Sequence, residues 1–204
     1  KGATLRAEDA PQYRHPLRLD EKTGQVLDAT GTIRHLFFTV YGQKVDGQWA
    51  LHWDRFDSDR LEHDLALMEK SGVHPYLRSL GWQTLLDADG NWKRCENQPT
   101  GTSAPTAQYA YEVLDYFLDR CQAHGRFVMI ECDFFWGANW DAIPAPYHTR
   151  YYLYPEVAEA SALAHRRILS RYRERAVIAG FMMGEEDIIM NQDLGNPHLR
   201  AEFS

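Results

Sequence analysis

The sequence predicts an α/β fold built on a parallel sheet, with the layout of a (β/α) barrel. Two observations carry this. Apolar runs of strand length alternate with stripes of helical period, giving strand-helix-strand-helix-strand-helix-strand, and such alternation produces parallel strands joined by helical crossovers. The long loops all follow strands, whereas the joins from helix to strand are tight; a barrel keeps its functional loops at the C-terminal ends of its strands. A doubly wound sheet is the competing arrangement, because it shares the alternation.

Residues 1 to 16 are polar, carry Pro11 and Pro16, and read as a lead-in. Leu17-Arg18-Leu19-Asp20 and Gln25-Val26-Leu27-Asp28 flank a turn at Lys22-Thr23-Gly24, a hairpin signature. Ile33 to Tyr41 is aromatic and β-branched and is closed by Gly42, so it is the first strand candidate. Asp59 and Glu62 have capping-box spacing, Leu61, Leu65 and Met68 form one apolar stripe, and Gly72 suits a C-cap. The spacing therefore predicts a helix over 59–70. A short strand follows from Val73 to Leu80, then a turn at Asp87-Ala88-Asp89-Gly90 and a polar loop over 91–104.

Pro105 suits a helix first turn, and Ala110, Val113, Leu114, Phe117, Leu118 and Cys121 form a regular apolar stripe ended by Gly125. Phe127 to Asp133 is the third strand, followed by a long aromatic loop. Pro155 opens a third helix carrying Leu163, Ala164, Ile168 and Tyr172. The fourth strand lies in Ala176-Val177-Ile178-Ala179-Gly180-Phe181-Met182-Met183, an unbroken apolar run that reads as buried on both faces. It stops at three consecutive carboxylates, Glu185, Glu186 and Asp187. Acids at the end of a buried strand stand at the rim of the sheet, where α/β folds keep their chemistry.

Composition narrows the function. The 204 residues are 44% hydrophobic and include six Trp and eleven Tyr, an aromatic content suited to flat, amphipathic clefts. A net charge of -7 argues against a nucleic-acid backbone or an anionic membrane as the main partner. Cys95, Cys121 and Cys132 are odd in number and widely spaced, so free thiols are expected rather than disulfides or a zinc site. The nine His show no metal-ligand spacing, and no glycine-rich phosphate loop occurs, so neither a metal nor another cofactor is expected.

Several segments, in order, resemble the clan of retaining (β/α)8-barrel glycoside hydrolases that includes cellulases, β-mannanases and β-galactosidases. Gly24 to Gly31 is similar to the hairpin before strand one, and Asp64 to Val73 to the first helix and its entry into strand two. Arg78 falls where the clan often carries a strand-two arginine. Val128 to Gly137 resembles strand three, with Asp133 where many members have His. Gly180 to Glu186 resembles the strand-four segment ending in Asn-Glu, with Glu185 in place of the Asn that contacts the sugar 2-hydroxyl. The resemblance covers about Leu17 to Asp187 and implies the first half of such a barrel: lead-in and hairpin over 1–32, strands one to four over 33–204.

The resemblance implies a carbohydrate substrate and a two-carboxylate mechanism. One carboxylic acid protonates the leaving oxygen while a second carboxylate acts opposite it. Glu186 is the acid/base candidate, and Glu185 and Asp187 beside it disfavour its ionisation. Adjacent strand residues point to opposite faces, so one of Glu185 and Glu186 faces inward, and the irregular strand end leaves the register open. Arg78 and Asp133 are expected to bind substrate or to pair with each other; Trp82, Trp136 and Trp140 stand in post-strand loops, where an indole can stack on a sugar ring. The nucleophile would come from strand seven, in a missing C-terminal half of the barrel, so the 204 residues alone are expected to be inactive and marginally stable. A non-catalytic carbohydrate-binding or degenerate barrel, and a barrel with phosphate chemistry, are the alternatives.

Overall fold

The computed structural model describes residues 15–45, 48–50, 56–77, 85–87, 90–95, 97–131 and 155–182. Strands β1 (Leu17–Leu19) and β2 (Val26–Asp28) form the expected antiparallel hairpin, Leu19 beside Val26. Asp20 accepts from Lys22 N and its backbone closes the turn through Gly24 N, whose φ of 69° is cheap only for glycine. Asp28 then gathers Thr30 N, the Thr30 hydroxyl, Thr32 N and Arg34 Nε. That cluster folds 28–34 back, so Ile33 bridges Leu27 and Arg34 N reaches Val26 O. The first sheet strand, β3 (Phe37–Tyr41), therefore begins four residues later than the sequence pattern suggests.

A second hairpin, β4 (Gln43–Val45) with β5 (Gln48–Ala50), follows directly and was not expected. Helix α1 spans Ser58–Ser71. Its N-cap is Asp57, extended at φ -115° and accepting from Asp59 N and Arg60 N, rather than the expected Asp59. Gly72 ends the helix at φ 74°, as expected. Strand β6 (Val73–Leu77) pairs in parallel with β3, Phe37 beside Val73 and Tyr41 beside Leu77.

Helix α2 spans Ala110–Ala123, later than Pro105 suggests. The Gln98 amide holds Ala107 N and O at 3.0 and 2.7 Å, and Arg94 bridges Tyr109, which keeps 105–109 out of the helix. Glu112 then accepts from Tyr109 N at 2.9 Å and starts the first turn. Strand β7 (Val128–Glu131) pairs with β6 only from Tyr76 onward. Pro75 has no N–H to offer a ladder, and Phe127 N donates instead to His74 Nδ1 at 3.1 Å. Helix α3 (Pro155–Tyr172) leads to β8 (Ile178–Met182), which joins β7 in parallel through a bulge at Val128/Met129.

The four main strands lie in the order β3-β6-β7-β8, each parallel to its neighbour, without the reversal that a doubly wound sheet has. All three helices pack on one face. Leu61, Leu65 and Met68 of α1, Leu114, Phe117 and Cys121 of α2, and Ala164, Ile168 and Tyr172 of α3 share one core with Tyr41, Leu77, Val128, Ile130 and Ile178 of the sheet. Phe117 and Tyr41 stack at 5.5 Å inside it. Leu163 lies outside this core and is exposed, while His165 is buried. Residues 179–182 are only half-buried, not enclosed on both faces, because among the described strands β8 is paired on one side alone.

Two contacts tie distant chain segments to this layer. His15 Nε2 meets Ile178 O at 2.7 Å. A carbonyl only accepts, so Nε2 carries a proton, and Nδ1 lies 3.0 Å from both the N and the O of Leu17. Trp92 packs edge-on to Tyr111 with the guanidiniums of Arg167 and Arg171 over its ring, and Arg167 also donates to Gly90 O at 2.6 Å. The 90–95 turn is thereby fixed against α2 and α3.

Candidate active-site rim

Parallel register brings the C-terminal ends of the four strands to one edge: Tyr41 beside Leu77, Leu77 beside Ile130, Glu131 beside Met182. Chain direction puts the N-termini of α1 and α2 at this same edge. The 97–104 segment is clamped onto the start of α1. Ser58 N donates to Thr100 O at 2.8 Å, and Thr100 N to Phe56 O at 2.7 Å. Asp59 takes Thr102 N at 2.9 Å and the Thr102 hydroxyl at 2.6 Å, and that hydroxyl holds the Asp59 carboxyl below the usual range. Gly101, at φ 103°, sits so close that a Cβ would lie 2.3 Å from Ser58 Oγ. The rim thus has a rigid shoulder beside the first helix.

On the sheet face away from the helices, Tyr76 donates its hydroxyl to Glu131 Oε2 at 2.6 Å. Glu131 is 2% exposed and Tyr76 is 7% exposed. His74 lies on the same face, tilted between Phe38 at 5.6 Å and Phe127 at 5.8 Å. Burial, helped by Arg126, lowers its affinity for a proton, which fits a neutral ring accepting from Phe127 N. This face therefore carries an aromatic-imidazole layer toward the strand starts and a hydrogen-bonded carboxyl toward the rim.

The seven site residues expected from the sequence, Arg78, Trp82, Asp133, Trp136, Trp140, Glu185 and Glu186, all lie outside the described residues, as does Cys132. The described residues end just short of them: Leu77 precedes Arg78, Glu131 is two residues before Asp133, and Met182 is three before Glu185. Sequence reasoning passed over Tyr76 and Glu131. The available signal was a single carboxylate inside Val128-Met129-Ile130-Glu131-Cys132, since a charge in a buried strand requires a partner. Cys95 and Cys121 are free thiols, half-buried and buried. Among the described residues no group of His, Cys, Asp and Glu is arranged to hold a metal ion, and no helix is long and apolar enough to cross a membrane.

Fold and rim together define a mixed α/β protein whose sequential parallel sheet gathers its strand ends at one edge. No family model matches the chain, and no curated protein sequence matches it. Among solved structures it is similar to an endocellulase from Pyrococcus horikoshii, determined with cellotetraose, at 12% identity and a TM-score of 0.49 over 93% of this chain and 51% of that one. It is also similar to a β-mannanase from the blue mussel Mytilus edulis, at 12% identity and a TM-score of 0.45 over 79% of this chain and 43% of that one. The chain thus spans about half the length of the first of these.

Proposed function

We propose that these residues form the first half of a (β/α)8 barrel belonging to a retaining glycoside hydrolase. One observation carries the reading: four parallel strands in sequence order, with their helices on one face, run at a common edge into the segments that hold Arg78, Asp133 and Glu186. A barrel gathers its reacting groups at such an edge. In this reading Glu186 protonates the glycosidic oxygen and then deprotonates water. The nucleophilic carboxylate comes from strand seven of the other half-barrel. Glu185, Arg78 and Asp133 bind the sugar, and Trp82, Trp136 and Trp140 supply stacking surfaces. The 204 residues alone hold one carboxylate of the pair and turn over nothing. Glu185 in the usual place of Asn favours a second reading, a barrel that binds carbohydrate without cleaving it.

The test uses the protein with its second half present. Glu186→Ala should slow glycosides with poor leaving groups far more than activated aryl glycosides, which need little protonation. Azide should then accelerate the variant by attacking the glycosyl-enzyme, while Glu185→Gln keeps the wild-type leaving-group dependence. Azide rescue in the Glu185 variant alone would exchange the two roles. Binding of oligosaccharide without turnover would establish the second reading, and turnover by the isolated 204 residues would refute the half-barrel account.

A further inference from the structure

Beyond the C-terminal end of α2, one imidazole is held by two carboxylates of α1. His124 follows the last turn of α2; its Nδ1 lies 3.0 Å from Glu69 Oε2 and its Nε2 lies 3.2 Å from Glu62 Oε2. Carboxylates only accept, so both contacts are hydrogen bonds only when both ring nitrogens carry protons. Arg120, one turn earlier on α2, grips Glu62 with Nε at 2.6 Å and Nη2 at 2.9 Å, so Glu62 serves two cations and Glu69 serves His124. The facing charged groups are thus Glu62 and Glu69 on α1, Arg120 on α2, and Arg126 in the following turn, whose Nε donates to the His124 carbonyl at 3.2 Å. The ring is 18% exposed, while the Glu69 side chain is 57% exposed.

We propose that His124 is a pH-sensitive clasp: as an imidazolium it joins the C-terminal end of α2 to Glu62 and Glu69 along α1, and on losing a proton it releases one of the two glutamates. Glu69, and to a lesser degree Glu62, raise its proton affinity over an opposing effect of burial. The folded value therefore lies above the ordinary 6.5. A group raised in this way contributes its full stability below the unfolded value and loses it as pH rises through the folded value. Arg126 anchors the same turn to β6 by donating to Val73 O at 3.4 Å. Release therefore acts at the starts of β6 and β7, remote from the rim, and stands apart from the glycosidase reading.

The experiment uses the full 204-residue chain. Ring 15N shifts should show His124 carrying both ring protons at low pH and titrating above the ordinary 6.5 of an imidazole. Between about pH 5.5 and 8.5 the wild type should lose about 0.5–4 °C of Tm more than His124→Gln does, the size of one partly exposed charge pair in a chain of this length. Glu69→Gln should lower the His124 midpoint while Arg120 still holds Glu62, and it covers the case in which His124→Gln does not fold. A ring already neutral at about pH 6, or equal pH dependence of Tm in wild type and His124→Gln, would overturn the clasp.

Discussion

Replacing Tyr76 by Phe removes one oxygen and nothing else from the buried face of the sheet. The bond it deletes is 2.6 Å long, with Glu131 2% and Tyr76 7% exposed. Deleting the donor to a buried acceptor costs about 1–3 kcal/mol. Tyr76→Phe should therefore cost about 1–3 kcal/mol, which for a chain of this size corresponds to roughly 2–12 °C in Tm. Urea unfolding followed by Trp fluorescence measures it, with the m-value expected to stay constant because neither state changes its exposed surface. A double-mutant cycle with Glu131→Gln isolates the pair from other contacts of either residue. A loss below about 0.5 kcal/mol, or a coupling energy indistinguishable from zero, would refute the claim that this bond is sealed from solvent.

Three further outcomes follow from the shoulder of the rim and the α1–α2 seam. Gly101→Ala should cost about 1–3 kcal/mol more than Gly31→Ala in the same unfolding assay, because a Cβ at Gly31 has nothing within 4 Å whereas one at Gly101 meets Ser58 Oγ at 2.3 Å. Asp57→Ala should cost about 0.5–2 kcal/mol, since it frees the Asp59 and Arg60 amides at the start of α1; partial restoration by Asp57→Ser would verify that the cap is responsible. The Arg120 fork holds the Glu62 carboxyl below its ordinary 4.5. A depressed carboxyl contributes stability above its unfolded value and loses it as pH falls through the folded one. The Tm gap between wild type and Glu62→Gln should accordingly close on acidification, and a gap that persists at the lowest pH would contradict the ion pair.

The layout of the fold was legible because it rests on period and punctuation. Leu61, Leu65 and Met68 fix the buried face of α1, the stripe from Ala110 to Cys121 fixes that of α2, and Gly72 marks where the first helix stops. The misreadings share one cause, side chains that choose among several partners in space. Asp59 has the spacing of a cap, but Thr102 claims it from 43 residues away and Asp57 caps instead. Leu163 fits an apolar stripe yet faces out, and His165 takes the buried position. Glu131 sits inside an apolar run, and its donor stands 55 residues away on the neighbouring strand, where no local pattern points. The rim residues were singled out by motif alone, and the described structure ends on their doorstep at Leu77, Glu131 and Met182.

The bond from His15 to Ile178 has a consequence for how the chain is made. Its partners are 163 residues apart, so His15 gains this anchor only after Ile178 has left the ribosome. At about 5–20 residues per second that interval is roughly 8–33 s, far longer than a helix or hairpin needs to form. The β1–β2 hairpin and α1 are local and can form at once, while His15 waits for its long-range partner. That contact between His15 and Ile178 is therefore among the last in the described residues to form during synthesis.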